Sequence, residues 1–380
     1  MENDFLLNPE ITFLNFGSFG ACPKPVYNTY QDFQRQLEYE PVQFMAHHGP
    51  RLLKQSRQAL SAYIGCHEDD VVFVPNPTHA FNIVAKNLRL QDGDEVLTTD
   101  IEYGAMDRTW HYYAAQKGFA YKRQHIELPL KSVDDFCEKF WRGLTPKTKA
   151  IHISHITSST ALILPVKQIC QRANELGLIT IVDGAHVPGH IPLHLQDLQV
   201  DYYTGACHKW MMTPKGCSFL YARKELQHAL DPLIVGWGYQ STTPSHSQFL
   251  DYHQVQGTRD YSAYLTVPAA IGYMQENKWS VVAAGCRQMV QQNVQRFADL
   301  LQTTPLAPIG DDFFGQMCSL EVKGHDPIAL KQKLYNEYRI EIPVMPHEGK
   351  VYIRYSINVF NTQDDLDELY EALQKILIPS

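Results

Sequence analysis

Long apolar runs and an excess of positive charge are both missing from this sequence. No stretch reaches the roughly 18 apolar residues that a membrane-spanning helix needs. The first ten residues are acidic and too short in apolar length for a secretory signal peptide. Against 33 Lys and Arg stand 41 Asp and Glu, a formal net charge of −8, so no basic field is available to hold a polyanion. The sequence predicts a cytoplasmic protein with neither membrane nor nucleic acid as its partner.

Paired cysteines are also absent. The eight cysteines are scattered without Cys-X-X-Cys spacing, which in a chain of 380 residues favours reduced thiols over a disulfide framework or a zinc site. His186, His190 and His194 do recur every four residues, the spacing of ligands on a helix. Pro188 and Pro192 interrupt that segment and prevent the helix. No metal is therefore predicted.

What the sequence does contain is an alternation of short β-branched runs with helical patterns between about residues 50 and 230. This alternation is typical of a mostly parallel sheet covered by helices. The predicted strands are 71–74, 95–98, 120–126, 150–154, 179–183, 201–205 and 218–222. The predicted helices are 78–87, 105–117, 133–144, 166–176 and 224–230. The fold class is thus α/β, with a mostly parallel seven-stranded sheet in a large domain of residues 51–264.

Both flanks of this domain have a different pattern. Residues 1–50, rich in Phe, Tyr and Pro, are predicted to form an N-terminal arm that returns to one of two domains. Residues 265–380 are predicted to form a long linking helix and a smaller C-terminal α/β domain. The predicted elements there are a helical region at 264–302, a helix at 326–338 between two strands, a strand at 351–355 and a final helix at 364–377.

Unusual polar groups follow four of the predicted strands, at the carboxyl ends where α/β proteins bind ligands. Residues 75–80 open a helix whose free N–H groups suit an anion. Residues 155–160 carry His, Thr and Ser. Asp183 ends one strand and Lys209 follows the next, each with a histidine close in sequence. Taken together, these groups predict a ligand site at this edge of the sheet.

These segments resemble those of class V aminotransferases, fold-type-I enzymes that use pyridoxal 5′-phosphate. The resemblance rests on Val-Asp-Gly-Ala-His at 182–186, Gly-Ala-Cys-His-Lys-Trp at 205–210 and Thr-Pro-Lys-Gly at 213–216. Within that class the chain is most similar to the isopenicillin N epimerase-like branch, through Leu-Asn-Phe-Gly-Ser-Phe-Gly at 14–20 and Gly-Thr-Arg-Asp-Tyr-Ser-Ala at 257–263. The likeness extends from about residue 13 to the region of Arg354.

The resemblance implies a role for each residue around the cofactor ring. Lys209 forms the internal Schiff base and later moves the substrate α-proton. Asp183 pairs with the pyridinium N–H and keeps the ring an electron sink. His186 donates a hydrogen bond to the ring 3′-oxygen, which Ser158 also contacts, and Tyr103 stacks on the ring.

At the phosphate end, the resemblance implies that Thr78 and His79 bind through the helix N-terminus, with His208 as a further ligand. Gly257 and Thr258 reach the phosphate of the neighbouring subunit. The resemblance therefore implies a homodimer with shared active sites.

The resemblance also implies that the substrate is an amino acid. Arg354 matches the arginine that holds the α-carboxylate bidentately. Asn15 and Ser18 are expected to line the substrate side, and the arm together with residues 237–253 forms the outer wall.

The cofactor supports racemisation, transamination, β-elimination and desulfuration, so groups near the α-carbon decide the reaction. Cysteine desulfurases carry a nucleophilic cysteine on a loop shortly before the carboxylate-binding arginine. Residues 339–349 contain no cysteine, and Cys318, the nearest upstream, falls in a predicted strand. Desulfurase activity is therefore not expected.

The other reactions stay open on the sequence. Epimerisation needs a second acid in addition to Lys209, and Tyr103, His347, Tyr239 or a water could supply it. The sequence predicts an enzyme acting at the α-carbon of an amino acid, as an epimerase, racemase or aminotransferase. The alternative is a C–S lyase that eliminates from a sulfur-containing amino acid. A non-catalytic paralogue is disfavoured because the whole predicted catalytic set is present.

Overall fold

The computed structural model describes residues 4–377. Its strands, β1 to β12 in chain order, are Thr12–Phe13, Val71–Val74, Glu95–Thr99, Ala120–Gln124, Thr148–Ser154, Ile179–Asp183, Tyr202–Ala206, Ser218–Ala222, Met317–Glu321, Ile340–Glu341, Val344–His347 and Lys350–Ser356. Its α-helices, α1 to α15, are Phe16–Phe19, Lys24–Tyr39, Pro41–Gln43, Gly49–Ile64, Pro77–Asn87, Gly104–Lys117, Val133–Trp141, Val166–Glu175, Leu195–Leu198, Gln248–Gln254, Ser262–Leu265, Val267–Glu276, Trp279–Leu300, Pro327–Tyr338 and Gln363–Leu377. Glu68–Asp70 and Lys224–Ala229 are 3₁₀-helical, and Phe44–His48 forms a π-helical turn.

The central sheet has seven strands in the order β2-β8-β7-β6-β5-β3-β4. Strand β8 runs antiparallel to its neighbours β2 and β7, whereas the remaining adjacent strands are parallel. Every residue of β2, β7 and β8 is buried, as continuous apolar strands covered on both faces should be. The predicted α/β fold with a mostly parallel seven-stranded sheet is confirmed.

The helices covering this sheet begin and end at residues suited to helix termini. The Asn76 side chain accepts a hydrogen bond from the His79 N–H at 2.9 Å and so caps α5. Ser132 caps α7 in the same way, through the Asp135 N–H. Gly118 ends α6 in the left-handed region, at φ 80°, where glycine carries no steric penalty. The sheet is therefore held between helices whose ends the sequence specifies locally.

Strands β5, β6 and β7 end side by side at one edge of the sheet. Their register pairs Ser154 with Asp183 and Asp183 with Thr204. The chain then turns at Gly184, where a Cβ atom would lie 2.1 Å from the Tyr203 ring, so only glycine fits. This convergence brings residues far apart in sequence to one edge.

A smaller three-stranded antiparallel sheet, in the order β11-β12-β9, forms near the C-terminus. Helices α13 and α14 pack against its strands, and α15 packs on α13. The N-terminal arm joins this unit, because β1 pairs in parallel with β10 through Thr12 and Ile340. The domain boundaries near residues 50 and 264 stay a prediction.

Several predicted elements differ from the structure, including the helix predicted at 133–144, which ends at Trp141. The helical region predicted at 264–302 is divided into α11, α12 and α13. Lys278, at φ 50°, interrupts it before Trp279, whose indole N–H donates to the Gly189 carbonyl at 2.7 Å. This tertiary hydrogen bond redirects the chain. The helix predicted at 224–230 is 3₁₀-helical, with the Gln227 side chain donating to the Ala222 carbonyl at 2.9 Å. The strand predicted at 120–126 ends at Gln124.

Within residues 4–377, none of the helices combines the length and apolarity needed to span a bilayer. The same part of the chain holds no group of three or more His, Cys, Asp or Glu side chains that could bind a metal ion. His186 and His190 lie in turns after β6 rather than on a helix. The cytoplasmic location stays a prediction.

Candidate active site

A cavity of about 170 Å³ opens at the edge where β5, β6 and β7 end. Eight of the thirteen predicted site residues line it, namely Ser18, Thr78, Tyr103, Ser158, Asp183, His186, His208 and Lys209. The structure therefore brings together all the residues predicted around the cofactor ring, and only Thr78 and His208 of those predicted at the phosphate.

Lys209 follows β7, and its amine faces the cavity 3.3 Å from Nε2 of His186. Burial and the positive charge of Arg354 lower the pKa of Lys209 from 10.5 to about 7, against the opposing effect of Asp183. A large share of this amine is consequently neutral at neutral pH. A neutral amine is the form that attacks a carbonyl or accepts a proton.

Asp183 is the buried anion of the cavity. One of its oxygens accepts a hydrogen bond from the Ala185 N–H at 2.9 Å. Burial raises the pKa of its carboxyl, whereas that N–H and the Lys209 amine lower it. The other oxygen has no hydrogen bond from residues 4–377, so it can accept one from a cationic N–H of a ligand.

His186 is the neutral member of the cluster. Burial, followed by the charges of Lys209 and Arg354, lowers its pKa well below the usual value. Its Nδ1 accepts a hydrogen bond from the Trp210 indole N–H at 3.4 Å. His186 therefore stays an uncharged imidazole next to the Lys209 amine.

Arg354, on β12, is a buried cation with no ion-pair partner among residues 4–377. Its Nη1 donates to the Ser158 carbonyl at 2.6 Å and its Nη2 to Ser18 Oγ at 3.2 Å. Its Nε has no hydrogen bond, and no Asp or Glu among residues 4–377 pairs with it. Although Arg354 itself does not line the cavity, Ser18 and Ser158 do. A buried, unpaired charge is costly, and an incoming carboxylate would supply the missing partner.

Asn15 contributes to this site through a neighbour. It does not line the cavity, but its Oδ1 accepts a 2.5 Å hydrogen bond from Ser18 Oγ, and its Nδ2 donates to Glu341 at 3.1 Å. The same segment packs on the Lys209 loop, since a Cβ atom at Gly20 would lie 2.3 Å from the His208 carbonyl oxygen. The arm is therefore part of the site.

Thr78, Asn76 and His208 also line the cavity. His208 donates from Nδ1 to the Cys217 carbonyl at 2.9 Å, which leaves Nε2 for a ligand. Burial lowers the pKa of His208 to about 4. His79 does not line the cavity, and its backbone N–H is already bound to Asn76. Of the two helix residues predicted to bind phosphate, only Thr78 lines the cavity.

Gly257 and Thr258 lie outside this cavity. They line a separate apolar groove of about 790 Å³ with Val42, Met45 and Trp237, which we call the Trp237 groove. Within one chain, therefore, the structure does not bring these two residues to the phosphate end.

Of the three side chains proposed as a second acid, only Tyr103 lines the cavity. It is 46% exposed, so one side of its ring is open to a ligand. Tyr239 lies on another surface groove beside Trp237. His347 lies on the hairpin β11–β12 and does not reach the cavity.

Sequence reasoning missed several lining residues, namely Phe19, Asn76, Pro77, Met106, Ser154, Ile156 and Ala185. Asn76 and Phe19 did carry a signal, the first as a helix cap before a proline and the second within the 14–20 motif. Met106 and Ile156 did not, since apolar residues after a strand also fit an ordinary core.

Also missed was Glu102, a buried carboxylate behind the cavity wall. It accepts hydrogen bonds from the Ser154 N–H at 2.9 Å, from Ser154 Oγ at 2.5 Å and from Thr99 Oγ1 at 2.7 Å. Burial raises its pKa to about 7. Glu102 thus fixes Ser154, which does line the cavity.

Known proteins resemble this chain over nearly its whole length. The Aminotransferase class-V family profile matches residues 20–369. An isopenicillin N epimerase from Amycolatopsis lactamdurans is 30% identical over 383 residues, which cover 97% of this chain and 96% of that protein. A probable chloroplastic L-cysteine desulfhydrase from Arabidopsis thaliana is 26% identical over 408 residues, covering 97% and 84%. The apo structure of a cysteine desulfurase from Thermococcus onnurineus NA1 has a TM-score of 0.84 at 19% identity, covering 99% and 96%.

The chain belongs to the class V aminotransferase family. This membership confirms the resemblance seen in the motifs, the fold-type-I architecture and the prediction of a pyridoxal-phosphate-dependent enzyme. The side chains present fit that cofactor. Asp183 has a free oxygen for a ring N–H, and the Lys209 amine of lowered pKa faces the same cavity.

Proposed function

We propose that this enzyme binds an α-amino acid through Arg354 and moves its α-proton through Lys209, as an epimerase, racemase or aminotransferase. The observation that carries the proposal is the buried Arg354 guanidinium, which has no ion-pair partner among residues 4–377 and sits behind the cavity that holds the Lys209 amine. Pyridoxal phosphate, when bound, supplies the sink for the electrons of the bond broken at the α-carbon.

The chain positions its substrate through the carboxylate. Ser18 and Ser158 fix the plane of the Arg354 guanidinium, which then accepts the carboxylate in one bidentate orientation. A fixed carboxylate places the α-carbon near the Lys209 amine. With a pKa of about 7, that amine can both accept and return a proton near neutral pH.

The remaining cavity residues hold the cofactor in this proposal. Asp183 accepts the ring N–H, and Tyr103 packs on the ring face. His186 and Ser158 bind the ring oxygen. Thr78 and His208 bind the phosphate, with the start of α5 supplying N–H groups.

The active form in this proposal is a homodimer, with a second copy of the chain covering the Trp237 groove. Trp237 is 87% exposed and Val42 is 75% exposed, and apolar surface of this kind marks an association site. Gly257 and Thr258 line the groove. Burial of the groove by a second copy would carry these two residues toward the partner's phosphate end.

Epimerisation is the first candidate among these reactions. The isopenicillin N epimerase has the higher identity of the two relatives, 30% against 26%. Tyr103 lines the cavity with Lys209, which gives the site a second proton-carrying group, as inversion at a carbon requires.

β-Elimination from a sulfur-containing amino acid is the second candidate. The desulfhydrase relative aligns with 97% of the chain. No cysteine lines the cavity in the described part of the chain, so no thiolate is present there to carry sulfur away, and the sulfur would leave as a free thiol or sulfide.

A panel of L-amino acids, including cysteine and cystine, tests the proposal with the cofactor-loaded enzyme in D₂O. Exchange of the α-proton without keto acid indicates an epimerase or racemase. Keto acid formed only with an amino acceptor indicates an aminotransferase, and pyruvate with ammonia and sulfide or thiol indicates a lyase. Lys209→Ala is the control. A panel in which no amino acid exchanges its α-proton contradicts the proposal.

A further inference from the structure

His186, which lines the cavity, forms a row of buried rings with Trp210 and His190 behind it. Trp210 has no solvent exposure, and the two histidines are each 3% exposed. The rings of His190 and Trp210 lie 4.1 Å apart between centroids. The indole is consequently held in a fixed orientation relative to His186.

The hydrogen bond from Trp210 determines where the His186 proton sits. An indole N–H can only donate, and it lies 3.4 Å from His186 Nδ1. Nδ1 must therefore offer a lone pair. A neutral imidazole carries a single N–H, so that proton lies on Nε2, the nitrogen 3.3 Å from the Lys209 amine.

The surroundings of His186 support a neutral ring. Burial disfavours an imidazolium most, and the charges of Lys209, Arg354, His190 and His208 act in the same direction.

His190 holds the main chain of His186 in place. The backbone N–H of Gln316 donates to His190 Nε2, so a neutral His190 carries its proton on Nδ1. That Nδ1–H donates to the backbone carbonyl of His186 at 2.9 Å. The main chain of His186 is thereby fixed, and within residues 4–377 its ring is hydrogen-bonded only to Trp210 and Lys209.

We propose that Trp210 is a positioning residue that fixes His186 in its Nε2–H tautomer, so that His186 donates to the cofactor's ring oxygen. This inference rests on the proposed role of His186 at that oxygen. In the other tautomer, two N–H groups would face each other at the 3.4 Å contact with Trp210. The Nε2 lone pair would then face an oxygen that carries negative charge, which is repulsive.

Trp210→Phe tests the inference, because it keeps an aromatic ring against His190 and removes the indole N–H together with the ring that carries it. The first measurement is ¹⁵N NMR of histidine-labelled, cofactor-free protein, with the His186 signals assigned by their loss in His186→Gln. We expect the wild type to show the Nε2–H tautomer and Trp210→Phe to show a mixture. Replacing Trp210 with benzothienylalanine, which keeps the indole shape without the N–H, gives the same test if Trp210→Phe does not fold.

The second measurement is a pH titration of the visible absorbance of the cofactor-loaded protein. In Trp210→Phe, His186 no longer donates reliably to the ring oxygen of the cofactor. That oxygen then holds a neighbouring proton more tightly. The midpoint in Trp210→Phe should therefore rise by about half to one pH unit, the size expected for one lost hydrogen bond.

Trp110→Phe is the matched control. Trp110 is also fully buried, but its indole nitrogen has no hydrogen-bond partner, and it packs against Phe81 and His152 instead. Neither the tautomer nor the midpoint should change in this variant. An Nδ1–H His186 in the wild type, or an unchanged tautomer in Trp210→Phe, overturns the inference. If the tautomer behaves as expected but no amino acid exchanges its α-proton, the proposed function fails and the role of Trp210 stands.

Discussion

The carboxyl edge of the central sheet and the Trp237 groove are built in opposite ways. At the sheet edge, Asp183, His186 and Lys209 are enclosed by their own chain and have their pKa values shifted by burial. In the groove, Trp237 is 87% exposed and the surface is apolar. Strand register creates the first region, because it places strand ends side by side whatever their separation in sequence. In the proposed dimer, a second copy of the chain completes the second region.

The largest expected effect is at the sheet edge. Lys209→Ala removes the amine that captures the cofactor and moves the α-proton, so α-proton exchange should fall by about 10⁴-fold or more, and the visible absorbance should disappear. Absorbance and exchange in D₂O measure both. Lys224→Ala, at a lysine that follows β8, should leave both unchanged. Retention of the visible band in Lys209→Ala would contradict the proposed role of this sheet edge in cofactor capture.

Arg354→Lys tests the substrate end of the same edge. A lysine keeps the charge but loses the bidentate geometry that Ser18 and Ser158 hold in place. We expect kcat/KM to fall by about 10²–10³-fold, the usual result of losing a buried charge-assisted contact. Cofactor absorbance should be unaffected. The control is Arg296→Lys, whose guanidinium pairs with Asp367 and lies away from the cavity. Equal kcat/KM in both variants would contradict a carboxylate-binding role.

Val42→Asp disrupts the Trp237 groove and leaves the carboxyl edge of the central sheet intact. A carboxylate in an apolar interface is desolvated without a partner, so the dimer dissociation constant should rise by about 10–100-fold. Cofactor affinity should fall with it, as Gly257 and Thr258 leave the partner's phosphate end. Sedimentation velocity and cofactor titration measure the two. The matched control, Val281→Asp, alters an equally apolar residue on α13, 68% exposed against 75% for Val42. A wild-type protein that sediments as a monomer would contradict the proposed shared active site.

The smallest expected change is in the pH dependence of cofactor capture, which tests how strongly burial at the sheet edge acts on Lys209. The pKa of Lys209 is lowered to about 7, so the neutral amine increases with pH up to about 7 and then changes little. Capture by cofactor-free protein should therefore gain less than about tenfold between pH 7 and 9. A lysine of ordinary pKa would gain about 100-fold over that interval. Stopped-flow absorbance at several pH values distinguishes the two.

The sequence predicts the sheet edge well because the motifs lie directly after buried, β-branched runs. Asp183 and Lys209 follow from that pattern alone, before any resemblance is considered. The contact of Arg354 with Ser158 could not be predicted, since it joins two sheets through a tertiary approach. The hydrogen bond from the His79 N–H to the Asn76 side chain could not be predicted either, because several local hydrogen bonds are compatible with the same spacing. The turn at Lys278 depends on the distant Gly189 carbonyl in the same way.

The pairing of β1 with β10 has a consequence for how the protein is made. Ser18 is synthesised 336 residues before Arg354, its hydrogen-bond partner. The hydrogen bond from the Gly17 N–H to Ser356 Oγ likewise cannot form until Ser356 has been synthesised. Contacts of such separation close late in folding. The strand ends that carry Asp183 and Lys209 can therefore come together before Arg354 is synthesised, whereas the proposed carboxylate site is completed only once Arg354 has joined Ser18.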